Sequence, residues 1–142
     1  MARSVRSPVS LQLWPDPYVV AKVRALPADW RVLAAGDEPV ALVIRPGDLT
    51  IVAPRAVLDT LGEDLVEARS ENWRAMTLDA VFPLDAVGVW AAVSRALAEV
   101  GVPVMAFSSH DTDHFLVPGA LLGRALAALN TAGLDRFLPA SP

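Results

Sequence analysis

The sequence predicts an α+β protein, one antiparallel sheet with its helices on a single face, and three observations carry that expectation. Short apolar runs alternate with two amphipathic runs of helical length. Glycines and prolines stand at the boundaries between them. A pattern of strand, turn, strand, proline and helix occurs twice, 64 residues apart, laying Pro39-Val40 on Pro103-Val104 and Pro54, Ala56 and Leu58 on Pro118, Ala120 and Leu122. The two matched boundary prolines weigh most, because proline is tolerated at few positions.

Residues Met1 to Pro8 are polar, with Ser and Pro, and read as a flexible lead-in. In Tyr18–Ala25 the cations Lys22 and Arg24 alternate with Val23 and Ala25, the period of a half-buried strand. Pro27–Trp30 has room only for a turn or a single helical turn. Val40–Ile44 and Leu49–Val52 are short strands joined by Arg45-Pro46-Gly47-Asp48, in which proline presets one dihedral and glycine supplies a positive φ. Pro54 opens a short helix, Arg55 to Leu61, that Gly62 ends. Glu63–Asn72, rich in acidic residues, is expected to connect the two halves.

Trp73–Phe82 reads as a strand, Ala86–Val100 as a helix and Val102–Phe107 as a strand after the break at Gly101. In the helix, Val87, Trp90, Ala91, Ser94, Leu97 and Ala98 share one face, while Val89, Val93 and Val100 form a second apolar edge. A helix apolar on two sides needs two neighbours, which suggests a subunit contact. Ser108–Asp113 is the densest polar cluster, and the strand His114–Val117 follows. Beyond Pro118, Leu121, Leu122, Ala125, Leu126 and Leu129 form a buried stripe, Gly133 suits the C′ position, and Leu134–Leu138 closes the chain as a strand.

The second copy therefore reads βαββαβ, a ferredoxin-like unit. The first lacks the long helix and is degenerate. Two tandem units are expected, 9–64 and 65–138, sharing antiparallel sheet, with residues 1–8 as lead-in and 139–142 as tail.

The 142 residues suffice for one ordinary domain or two small ones, and 54% hydrophobic against 20% charged residues describe a folded chain. A net charge of -4 without a Lys/Arg block argues against nucleic acid or an anionic membrane as partner. No cysteine is present, which removes disulfides, thiolate nucleophiles and Cys-based zinc sites. The N-terminus lacks a secretory pattern and the most apolar run is too short to span a bilayer, so a cytoplasmic location is expected.

Several stretches resemble the ACT domain, and more narrowly the small tandem-ACT proteins related to the CASTOR amino-acid sensors. They are Trp73-Arg74, Leu78 with Phe82-Pro83-Leu84-Asp85, Gly88, Leu97 to Val102, and above all Ser108-Ser109-His110-Asp111-Thr112-Asp113 followed by Phe115-Leu116-Val117. The resemblance runs from about Trp73 to Leu129 and is weak before Val40. Ser109-His110 departs from relatives that carry Ser or Thr and then an aromatic residue.

The resemblance implies a regulatory protein that binds a free amino acid or similar metabolite at a domain or subunit interface, acts as a homodimer and needs no cofactor. The residues fit such a ligand. A helix start near Val87-Gly88 offers unpaired N–H groups to a carboxylate, and Gly88 allows close approach. Asp85 or Asp113 can pair with an ammonium group, and the hydroxyls of Ser108, Ser109 and Thr112, with His110 and Asp111, line the same bend. Simpler readings stand beside these. Ser108–Asp113 suits an ordinary hairpin turn, Asp85 suits an N-cap for a helix starting at Ala86, and Gly88 suits close packing.

A metal site is not expected from His110, Asp111, Asp113 and His114, because an extended strand turns the histidines and aspartates to opposite faces. Adjacent Ser, His and Asp cannot form a catalytic triad, so no catalytic residues are assigned. The alternatives to a sensor are a structural interaction module with a vestigial pocket and a small His/Asp-dependent enzyme. The four tryptophans read as core or interface anchors.

Overall fold

The computed structural model describes residues 10–79, 87–134 and 136–139. They divide into two compact units, one spanning Asp16–Trp73 and the other combining residues up to Pro15 with those from Arg74 onward. Two long strands, β1 (Ser10–Val23) and β4 (Val66–Asp79), contribute residues to both.

In the unit Asp16–Trp73 the strand order is β2-β3-β1-β4, with β2 at Ala41–Arg45 and β3 at Asp48–Pro54. The β2–β3 hairpin turns at Pro46-Gly47, where Gly47 takes φ 74°, the conformation the Pro-Gly pair predicts. Alternate residues of β1, namely Val19, Ala21 and Val23, pack with Ile51 and Ala53 of β3, Leu58 of α1 (Arg55–Leu58) and Leu33 of a 3-10 turn, Trp30–Ala34. That turn stands where a full unit would carry its first long helix.

The other unit follows the expected βαββαβ order: β4, α2 (Val89–Glu99), β5 (Met105–Ser108), β6 (Asp113–Pro118), α3 (Leu122–Thr131) and β7 (Arg136–Pro139), with β7 parallel to the start of β1. Its core joins Leu11, Met76, Leu78, Phe115 and Val117 to Val93, Ala96 and Leu97 of α2 and to Ala125 and Leu129 of α3. Period-two alternation thus points one face of these strands at both helices. The two hairpins begin 64 residues apart, at Ala41 and Met105, and helical turns follow at Arg55 and Gly119 with the same offset.

Four sequence expectations are corrected. Glu63–Asn72 is not a connection: after a 3-10 turn at Glu63–Leu65 it is the first half of β4. Its charged residues belong to a strand with exposed positions, where Lys22 lies 3.8 Å from Glu67 and Arg69 pairs with Glu71 at 2.9 Å. The second helix begins at Val89, with Gly88 rather than Asp85 as its N-cap; Asp85, like the expected strand end Phe82, lies outside the described residues. On α2, Ala91 and Ala98 are exposed, while Val93, the expected secondary edge, is fully buried with Leu97. Among the tryptophans Trp14 is buried and Trp30 is 63% exposed, so Trp30 is not a core anchor.

Both long helices end in the same way. Gly101 and Gly133 adopt φ 70° and 83°, and the next residues return their N–H groups to the helix, Val102 to the Leu97 carbonyl and Leu134 to Leu129, each at 2.9 Å. Among the described residues no helix is long and apolar enough to cross a membrane.

This geometry separates two otherwise identical substitutions. Gly101→Ala forces a Cβ into a left-handed conformation and is expected to cost about 1–2 kcal/mol. Gly123→Ala, on the exposed side of α3 with open space around it, is expected to stabilise by about 0.5–1 kcal/mol. Urea denaturation of the two variants checks the opposite signs.

Candidate functional site

Strand alternation that sends Met76 and Leu78 to the helices sends Thr77 to the opposite face, and on β6 it does the same for His114 between Asp113 and Phe115. The two side chains meet there. Thr77 Oγ1 lies 2.8 Å from His114 Nδ1 and 2.8 Å from Trp14 Nε1, and both Thr77 and His114 are 7% exposed. His114 Nε2 reaches Ser109 Oγ at 3.0 Å, and Ser109 Oγ donates to the Thr112 carbonyl.

The direction of every bond in this chain follows from its ends. An indole N–H only donates, so Thr77 Oγ1 accepts from Trp14 and has its own proton to give to His114 Nδ1. At the other end Ser109 spends its proton on Thr112, so it accepts from His114 Nε2–H. The imidazole is therefore neutral, with its proton on Nε2. Burial lowers the His114 pKa below its ordinary 6.5, while the nearby Asp113 carboxylate pulls the other way.

The network fixes the bend that the sequence singled out. β5 and β6 pair with Ser108 opposite Asp113, and Ser108 Oγ donates to the Asp113 carboxylate. Inside that closing pair the Ser109 N–H bonds the Thr112 carbonyl at 3.0 Å, leaving His110 and Asp111 at the tip, exposed and bonded to each other at 2.9 Å. Thr112 Oγ1 donates to the Leu78 carbonyl at 2.6 Å, tying the bend to the end of β4. The hydroxyls of Ser109 and Thr112 thus hold the bend's shape, and Asp113 is half-buried beside it.

At the start of α2, Gly88 has φ 87° and no side chain caps the helix among the described residues, so its first N–H groups lack a side-chain partner. Val87 is 88% exposed. Gly88 also lines a groove of about 750 Å³ between α2 and α3, whose other walls include Ala92, Arg95, Glu99, Arg124 and Ala128; no residue of Ser108–Asp113 lines it. Among the described residues no three metal-ligating side chains come together.

Sequence reading placed the polar bend but missed its anchors, Trp14, Thr77 and His114. A signal existed for His114, a histidine opening the run Phe115-Leu116-Val117 that is buried at every position. No sequence signal linked it to Thr77 and Trp14, 37 and 100 residues away.

Replacing Thr77 by Val strands the Trp14 N–H and His114 Nδ1 and is expected to cost about 1–3 kcal/mol in chemical denaturation. Because the folded protein holds His114 below its ordinary pKa, the unfolded chain binds more protons as pH falls beneath 6.5, and stability is expected to drop there. Thermal melts from neutral to acidic pH should show that slope flattened in His114→Gln.

Residues 68–131 match the family model described as ACT domain. Among solved structures, the protein Atu0741 of Agobacterium tumefaciens has 24% identity and a TM-score of 0.76, with 96% of each chain covered. VC0802 of Vibrio cholerae, described as of unknown function and a possible transport protein, has 28% identity and a TM-score of 0.66, covering 89% of this chain and 91% of its own. The regulatory subunit of aspartate kinase from Thermus thermophilus has 15% identity and a TM-score of 0.61, covering 86% of this chain and 96% of its own. No curated protein matches the chain. Residues 68–131 thus resemble an ACT domain, and the chain's fold is similar to that of aspartate kinase regulatory subunits.

Proposed function

We propose that this protein is a regulatory module of the ACT type that binds a free amino acid or similar small metabolite and reports occupancy through a changed protein contact. The observation that carries the reading is the internally braced bend Ser108–Asp113, held against the end of β4 within the stretch that matches the ACT domain. An ordinary turn needs no buried Trp-Thr-His anchor. A bend that must present fixed polar groups does, because a ligand gains most from donors and acceptors already in place.

In this reading the ligand carboxylate sits on the first N–H groups of α2, near Val87 and Gly88, and the ammonium pairs with Asp113 or Asp85. Ser108 orients the Asp113 carboxylate, His110 and Asp111 meet the ligand side chain, and Ser109 and Thr112 keep the bend rigid. The tandem repetition, the homodimer and the narrower kinship with CASTOR-type sensors belong to the same proposal. The regulatory subunits of aspartate kinase that share the fold support a regulatory role without naming the ligand. Coupling to a partner requires that the ligand bind one state more tightly than the other.

A thermal-shift screen of the proteinogenic amino acids tests the proposal. One of them is expected to raise Tm by roughly 5–10 °C at a hundredfold excess over its Kd, and Asp113→Ala is expected to abolish that shift. Absence of any shift at millimolar ligand would favour an interaction module with a vestigial pocket.

A further inference from the structure

Inside the unit Asp16–Trp73 three large apolar side chains stand in water along one short stretch: Leu26 is 42%, Trp30 63% and Val32 38% exposed. Trp30 is held there from both sides. Leu33, in the same 3-10 turn, is buried with Val19, Ile51 and Leu58, which pins the turn to the core. Across Trp30, the Asp29 carboxylate accepts from the Arg31 N–H at 3.2 Å and from Arg31 Nε at 2.9 Å, and the Asp29 carbonyl accepts from the Val32 N–H at 3.3 Å. A single exposed leucine needs no explanation, but a braced indole between two more apolar side chains has the character of a contact surface. Tryptophan anchors binding more often than most side chains, and one already fixed in place loses little freedom when a partner arrives.

Charge selects the occupant. The unit Asp16–Trp73 holds ten carboxylates against six cations and so carries the whole formal charge of -4 of the chain. Asp29 and Arg31 offset each other, and the chain then bends through Asp37 and Glu38, which make no ion pair among the described residues. Burial, and after it the carboxylates of Glu38 and Asp16, push the Tyr18 pKa well above its ordinary value, so both carboxylates lie near the Tyr18 hydroxyl, which donates to the Pro39 carbonyl at 2.7 Å. An acidic flank therefore follows directly on the apolar turn.

We propose that the Trp30 turn is a docking surface for a basic segment of another protein, with an Arg or Lys side chain over the Trp30 indole, an apolar side chain on Leu26 or Val32, and a further cation paired with Asp37 or Glu38. A second copy of this chain does not suit the surface, because it brings the same surplus of carboxylates and no Lys/Arg block. Nucleic acid and anionic membranes are repelled for the same reason. The contact needs no amino acid bound, so its failure and the failure of the sensor reading are separate results.

Selection of random short peptides displayed on phage, against the full ligand-free chain and in parallel against Trp30→Ala, tests this. Peptides that hold the chain but not the variant are expected, and they are expected to combine Arg or Lys with an apolar residue. Their affinity should fall about tenfold or more in Trp30→Ala, and several-fold in Asp37→Asn with Glu38→Gln or on raising the salt concentration. Glu63→Gln with Asp64→Asn, which removes the same charge from the other 3-10 turn of the unit, should leave it unchanged. A selection that returns no peptide, peptides that are acidic or neutral, equal binding to Trp30→Ala, or equal losses in the two charge-neutralised variants overturns the proposal. Trp30 is largely exposed, so Trp30→Ala is expected to fold, which circular dichroism checks; should it not fold, the two charge-neutralised variants decide alone.

Discussion

Period-two alternation along β4 is the constraint from which the candidate site follows. Met76 and Leu78 bury completely against α2 and α3, which leaves Thr77 no choice of side. A hydroxyl on that face, sealed to 7% exposure, must be bonded, since an unpaired buried polar group costs more than a formed bond returns. His114 and Trp14 are its partners, and through His114 the requirement passes to Ser109 and the bend. A register slip of one residue would put Thr77 into the apolar core and Met76 beside the imidazole.

Apolar packing and polar bracing thus share the same strands and act in different ways. The core under α2 and α3 depends on area removed from water and tolerates changes of shape among apolar residues. The network depends on direction: each donor from Trp14 to Thr112 has one acceptor, and a proton added at His114 Nδ1 turns that nitrogen from acceptor to donor against the Thr77 hydroxyl. This makes the bend rigid and ties that rigidity to the charge state of one histidine.

The two units treat their helices differently. In the unit with α2 and α3 the core rows end beneath helices of 11 and 10 residues, each closed by a left-handed glycine. In Asp16–Trp73 the corresponding cover is a 3-10 turn and a four-residue helix, and its rows reach an edge with Leu42 and Ile44 still exposed.

By itself the sequence determined the local signals: the Pro46-Gly47 turn, the prolines ahead of α1 and α3, the glycines that end α2 and α3, and the βαββαβ order from β4 to β7. Each depends on dihedral preference or on periodicity within a few residues, which one segment carries alone. The ACT-like bend was legible for the same reason, as a run of turn formers between two apolar strands. Only the tertiary structure decided that the charged stretch from Val66 to Asn72 is strand, because ladder pairing with β1 overrides its polar composition. It also decided that α2 starts at Val89, where Gly88 and not an acidic side chain breaks the approach, and that Val93 rather than Ala91 faces the core. The Trp14–Thr77–His114 anchor was out of reach for a further reason: its members come from three separate strands, and nothing local in a chain records which distant residue will share a face.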